Sequence, residues 1–137
     1  MAASNGTLQV LLVEDSPLLA TRLAEMIRLL PEVSLLDTVQ TEREALEGIA
    51  ARTPDVVVLD LKLRSGTGFG VLRSLAGAAH RPQVIVLTNH GLPEYRREAE
   101  HLGAEAFLDK SRDYFRLPSL LRALSQRRAA PSRPPAA

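Results

Sequence analysis

The sequence predicts a doubly wound α/β domain, a single five-stranded parallel sheet with five helices distributed over its two faces. Three observations predict it. Short runs of Val, Ile and Leu alternate with longer amphipathic stretches, which is βαβα order, and no internal repeat interrupts it. The runs 8–13, 55–59 and 83–87 are almost continuously apolar, as parallel strands covered on both faces must be. The chain has 137 residues, 45% of them hydrophobic, which suits one domain of about 100 to 150 residues with a sizeable core.

Taken in order, the first strand is Leu8 to Val13. A helix follows from Ser16 and Pro17, because a Ser side chain can cap the first turn and Pro fits its first position. Leu19, Leu23 and Ile27 then share one face, and Pro31 ends the segment. Val33 to Val39 carries Ser34, Asp37 and Thr38, so this second strand is expected at an edge. Thr41 and Glu44 form a capping box for a second helix to about residue 51. Thr53-Pro54 leads into the third strand, 55–59, and a third helix covers about 69–75. The fourth strand is 83–87. A fourth helix runs from Pro93 to a cap at Gly103, and a fifth strand, 104–108, carries Glu105 and suits the other edge. The fifth helix spans about 113–126, with Pro118 awkward near its start. Five such units point to the flavodoxin-like strand order 2-1-3-4-5.

The charge balance, 17 Lys and Arg against 16 Asp and Glu, gives a net charge of +1 and no bulk attraction to nucleic acid or acidic membrane. The absence of Cys excludes disulfides, thiolate zinc sites, iron–sulfur clusters and Cys nucleophiles. The apolar run after the small, polar segment 1–6 is too short for a signal peptide or membrane span, so a cytoplasmic protein with no membrane partner is expected. Residues 1–6 are expected to be disordered, 7–128 to form the domain, and the Pro/Ala-rich tail 129–137 to be disordered.

In open α/β sheets ligands bind at the carboxyl ends of the strands, and here those ends carry chemistry. The first strand ends in Glu14-Asp15, the third in Asp60, the fourth in Thr88 and the fifth in Lys110. Three carboxylates brought so close repel one another unless a cation neutralises them, and oxygen ligands of this kind suit Mg2+. Lys110 adds a positive point for a phosphoryl oxygen and Thr88 a hydroxyl donor. The set reads as a phosphoryl-transfer site with a carboxylate nucleophile. Singly, each of these residues is more ordinary as a cap, turn or surface charge; together they favour function.

The pieces Val-Glu-Asp-Ser-Pro (13–17), Val-Val-Val-Leu-Asp-Leu-Lys-Leu (56–63) with Gly68, Val-Ile-Val-Leu-Thr-Asn (84–89) and Gly-Ala-Glu-Ala-Phe-Leu-Asp-Lys-Ser (103–111) resemble the response-regulator receiver domains of bacterial two-component signalling. So do the spacings 60 − 15 = 45, 88 − 60 = 28 and 110 − 88 = 22, and the resemblance runs from Leu8 to Gln126. It implies that Asp60 accepts a phosphoryl group from a sensor histidine kinase or phosphotransfer protein. It further implies that Glu14, Asp15, Asp60 and the Lys62 backbone carbonyl hold Mg2+, and that Lys110 bridges to the phosphoryl group. Thr88 and Phe107 would form a switch pair that reports to a downstream target protein through the fourth helix, fifth strand and fifth helix. Phe107 lacks a Tyr hydroxyl, so its inward state is expected to rest on packing alone.

Lys62, Asn89 and His90 flank the crevice as candidate modulators. Arg64 stands where many receivers have Pro, so a less rigid loop is expected, and Asn89 replaces a small residue, so narrower access to Asp60 is expected. Ser111 replaces a Pro, which puts the family's cis peptide at a non-proline bond at a cost of about 2.5 to 4 kcal/mol. His80, His90 and His101 lack metal-ligand spacing, and Arg116, Arg122, Arg127 and Arg128 read as a solvated helix face. Other classes fit less well. A haloacid-dehalogenase phosphatase needs an acid where Lys62 stands, Glu14-Asp15 would repel a flavin phosphate, and no P-loop is present. The expectation is therefore a single-domain response regulator with no DNA-binding module, not itself an enzyme. Phosphorylation-dependent dimerisation stays open. The alternative is a receiver-like interaction module that phosphorylation does not regulate.

Overall fold

A computed structural model describes residues 6–89 and 91–129, apart from the side chain of Ala129. Segment 1–5, residues 130–137 of the tail and His90, with the disordered ends and the modulator expected there, lie outside the described residues.

The strands β1 (Leu8–Val13), β2 (Val33–Val39), β3 (Val56–Leu59), β4 (Gln83–Thr88) and β5 (Ala106–Asp109) are all parallel, in the order β2-β1-β3-β4-β5. The expected order and the two expected edges are those observed. Edge strand β2 bulges against β1, where Val10 pairs with Leu35 and Leu11 with Asp37.

Strand alternation divides the core in two. Val10, Leu12, Val56, Val58, Ile85, Leu87 and Leu108 pack under α1 (Pro17–Arg28) and α5 (Leu117–Ala129). Leu11, Val13, Val57, Leu59, Val84, Val86 and Phe107 pack under α2 (Glu42–Arg52), α3 (Gly68–Leu75) and α4 (Pro93–His101). Both clusters are fully enclosed, which is why the strands carry so few polar residues.

Helix starts follow their caps. Ser16 Oγ accepts from Leu19 N, and Thr41 Oγ1 from Glu44 N at 3.1 Å. The reciprocal half of the expected capping box is displaced by one residue: Glu44 Oε1 accepts from Gln40 N rather than from Thr41 N. The expected fifth helix begins later than 113. Tyr114–Arg116 is a 3-10 turn, and α5 starts at Leu117, because Pro118 has no N–H to continue an α-helical ladder back to residue 114. The fifth strand also starts later than 104. Gly103, at φ +99°, closes α4 in a Schellman turn in which Ala104 N donates to Ala99 O and Gly103 N to Glu100 O, both at 2.9 Å. Arg81 Nη2 adds a bond to Leu102 O at 2.6 Å.

No cis peptide occurs among the described residues, so the Lys110–Ser111 bond is trans. The turn there is held by polar contacts: Ser111 N and Oγ both donate to Asp109 Oδ1, at 2.8 and 2.6 Å. These two bonds, the hydroxyl first, hold the Asp109 carboxyl below its usual pKa. Among the described residues, no helix is long and apolar enough to cross a membrane.

Candidate functional site

Parity in the strands places the site. Glu14 follows the inward positions Val10 and Leu12, Asp60 follows Val56 and Val58, and Lys110 follows Leu108, so all three leave the sheet on the α1/α5 side. They meet there. Lys110 Nζ lies 2.7 Å from Asp60 Oδ2 and 2.7 Å from Glu14 Oε1. The second oxygen of each carboxylate takes a backbone amide: Ser16 N donates to Glu14 Oε2 at 3.1 Å and Lys62 N to Asp60 Oδ1 at 3.3 Å. Glu14 and Asp60 are buried, 1% and 5% exposed, whereas Asp15 is half-buried at the mouth.

Carboxylate oxygens of Glu14, Asp15 and Asp60 lie within 4.8 Å of one another. Ionised, three carboxylates against one ammonium leave two negative charges, 3 − 1 = 2, the charge of one divalent cation. An all-oxygen donor set with an open, half-buried edge fits Mg2+, which keeps several of its waters. The electrostatics are tense. Burial pushes the Glu14 pKa up, and the Lys110 hydrogen bond only partly offsets it. For Lys110 burial is the largest influence and acts to lower the pKa. The hydrogen bonds and charges of Asp60 and Glu14 together outweigh it and hold the ammonium above its usual value.

The loop after Asp60 is drawn tight. Gly68 N donates to Leu61 O at 2.9 Å, and a side chain at Gly68 would collide with the Asp60 carbonyl, which only Gly avoids. Lys62 pairs with Thr67 in an isolated antiparallel bridge, its side chain exposed. At Arg64, where proline was the family expectation, the backbone N–H donates to Gln40 O at 3.3 Å, a bond proline could not make. Glu42 N donates to Ser65 O at 3.0 Å, and Thr67 N to Glu42 Oε1 at 2.9 Å. Hydrogen bonds to the start of α2 thus restrain the loop that the Arg64 departure was expected to loosen.

Thr88 is completely buried at the end of β4, and its carbonyl accepts the Lys110 N–H at 2.9 Å. It shares strand parity with Val84 and Val86, the α4 side of the sheet, where Phe107 also lies, 3% exposed and paired with Val86. The Arg96 guanidinium covers the Phe107 ring, so packing is not its only restraint. Nothing in the sequence pattern marked Arg96. It is one of two adjacent arginines in a helix of charged residues, and only the fold reveals which of them meets the ring.

Asn89, His80 and His101 are exposed. Leu18, in the first turn of α1, is exposed at 65%. The arginines expected on one helix face are paired rather than gathered into a basic patch: Arg116 of the 3-10 turn with Asp113, and in α5 Arg122 with Glu32, Arg127 with Glu105 and Arg128 with Asp55. These partly exposed contacts contribute little to stability.

The family model described as "Response regulator receiver domain" matches residues 10–122. The transcriptional regulatory protein CutR of Streptomyces coelicolor is 35% identical over 127 residues, 93% of this chain and 58% of CutR. A protein-glutamate methylesterase/protein-glutamine glutaminase of Carboxydothermus hydrogenoformans is 32% identical over 83% of this chain and 34% of its own length. The chain therefore spans little more than half, or a third, of these relatives. Among solved structures, the signal receiver domain of a Vibrio parahaemolyticus protein assigned as a Luxo repressor superposes with a TM-score of 0.81 and 30% identity, over 89% of this chain and 92% of that one. The response regulator domain of Thermotoga maritima CheB superposes with a TM-score of 0.76 and 23% identity, over 92% and 99%, a likeness of fold.

Proposed function

Because the chain belongs to the response regulator receiver domain family, we propose that it is a phosphorylation-operated switch in which Asp60 takes a phosphoryl group from a phosphohistidine of a sensor kinase or phosphotransfer protein. The observation that carries this reading is the Lys110 ammonium held at 2.7 Å from both Asp60 and Glu14, with Asp15 beside them.

An Asp60 carboxylate oxygen attacks phosphorus, the bond from phosphorus to the histidine nitrogen breaks, and an acyl phosphate forms as the imidazole leaves. Glu14, Asp15 and Asp60, with the Lys62 carbonyl, would hold Mg2+. When bound, the ion neutralises charge on the incoming phosphoryl oxygens. Lys110 supplies a fixed positive charge for one of those oxygens, and Thr88 offers a hydroxyl donor to another. Thr88 and Phe107 then carry the change toward α4, β5 and α5, the surface that a downstream protein would read. The work is signalling, in the cytoplasm, and the chain assists its own phosphorylation and autodephosphorylation.

Acetyl phosphate with Mg2+, read by intact mass, tests the reading. One adduct is expected, absent in Asp60→Asn and in excess chelator. An adduct that persists in Asp60→Asn overturns the assignment, and no adduct on the wild type leaves the unphosphorylated interaction module as the function.

A further inference from the structure

The loop between Asp60 and α3 takes restraints from an element that contributes nothing to the crevice itself. That element is the first turn of α2. Glu42 meets the loop twice, through its backbone N–H to Ser65 O at 3.0 Å and through its Oε1, which accepts Thr67 N at 2.9 Å. Gln40, two residues earlier, takes the Arg64 N–H. The loop's own closure is the Lys62–Thr67 bridge, and Lys62 N is the group that donates to Asp60 Oδ1 at 3.3 Å. A continuous path therefore runs from the Glu42 carboxylate to the Thr67 amide, across the bridge to the Lys62 backbone, and on to the Asp60 carboxylate.

The seat for Glu42 is shaped by two glycines. A Cβ at Gly66, which has φ +75°, would collide with the Glu42 Cβ, and a Cβ at Gly70 would collide with its carboxylate. The carboxylate thus lies over the first turn of α3, where Gly70 leaves room. Thr67 Oγ1 accepts from Gly70 N at 3.0 Å in the same turn, and a negative charge at a helix N-terminus is favoured there.

We propose that Glu42 is a positioning residue for the phosphoacceptor loop: it holds the Lys62 backbone beside Asp60 through Thr67, and so sets how readily the crevice takes up a divalent cation. The proposal rests on the reading of Asp60 and its neighbours given above. Supporting partners one layer behind a metal's ligands change affinity by about 10- to 100-fold when lost. Glu42 acts one layer further back, so an effect of several-fold, up to about tenfold, is expected.

The experiment uses the full chain and Mg2+ alone. In metal-free protein, amide exchange at Lys62 and Thr67 is expected to quicken in Glu42→Ala, and a Mg2+ titration followed by NMR to show several-fold weaker binding. Glu42→Gln keeps the acceptor oxygen and should restore both. Gly70→Ala displaces the carboxylate without removing it. It should weaken Mg2+ binding without lowering the unfolding midpoint, because Ala favours helix over Gly. A merely destabilising role predicts the opposite pairing. Wild-type exchange and Mg2+ affinity in Glu42→Ala, or in Gly70→Ala, would overturn the proposal, as would a Glu42→Gln variant as impaired as Glu42→Ala. Failure of the wild type to label with acetyl phosphate would count against the phosphoacceptor reading instead, and the amide exchange would still decide the role of Glu42.

Discussion

The guanidinium of Arg96 lies over the ring of Phe107, 4.8 Å from its centroid, and joins α4 to β5 across the face where Thr88 is buried. A Tyr at 107 would have a hydroxyl to anchor; this Phe has a cation on its face instead. Such contacts are worth about 0.5 to 1 kcal/mol where the cation is exposed, as Arg96 is. Arg96→Gln should lower stability by about that amount and increase exchange broadening of the Phe107 ring signals in NMR. Unaltered ring signals would show that packing alone holds the ring.

Thr88 and Phe107 share one side of the sheet, two strand positions that face α4 together. With beryllofluoride as a mimic of the phosphoryl group, resonances across 89–115 are expected to shift. Thr88→Ala should bind the mimic and lose those distant shifts. Wild-type shifts on α4 and β5 in the variant would return Phe107 to ordinary core.

Lys110 is the counter-charge of a buried carboxylate pair. Lys110→Met leaves Glu14 and Asp60 uncompensated, and such losses cost about 3 to 5 kcal/mol at neutral pH. The pH dependence has a definite sign. The folded Glu14 pKa lies above 4.5, so its ionisation opposes folding and stability falls as pH climbs from 4.5 through the folded value. Without Lys110 that fall steepens. The folded Lys110 pKa lies above 10.5, so its contribution is whole below 10.5 and fades as pH climbs through the folded value. The gap between wild type and variant should therefore narrow toward acid, narrow again above pH 10.5, and shrink when Mg2+ is added at neutral pH. Denaturant titrations at several pH values check this; a gap independent of both would refute it.

Leu18, 65% exposed in the first turn of α1 three residues after Asp15, would give a docking partner an apolar anchor. Leu18→Glu is expected to slow transfer from the cognate kinase by tenfold or so while leaving acetyl phosphate labelling unchanged, since about 1.4 kcal/mol of docking energy corresponds to that factor. Equal slowing of both reactions would contradict a docking role.

The residues legible in the sequence are those whose position follows from local rules. Glu14 and Asp60 each stand one step past an apolar run and Lys110 two steps past one, so finding the strands located the carboxylates and the ammonium together. Ser16 and Thr41 announce helix starts by local hydrogen bonding. Where the reading slipped, a second local preference competed. Pro118 moved the start of α5, and the turn at Gly103 kept Ala104 bonded to α4 rather than to the sheet. Arg96 and Glu42 were illegible for a different reason. Glu42 meets Thr67 25 positions away, and neither a period nor a cap encodes which of several charged residues on a solvent-facing turn reaches across to another element.

The uneven attachment of α4 has a mechanical consequence. Its far end is bolted down by backbone bonds and Arg81, Ala99 is its single buried residue, and its near end rests on side chains, Tyr95 edge-on to Phe69 and Arg96 on Phe107. A rod pinned at one end converts displacement into rotation. Nine residues at about 1.5 Å of rise make a lever of roughly 13 Å. A nudge of about 2 Å at Pro93, the end that follows the Thr88 loop, would tilt it on the order of 10° about a fulcrum at Gly103. The charged outer face would swing most where it is nearest the crevice and hardly at all at His101, so the amplitude of such a tilt would be graded along the helix by leverage alone.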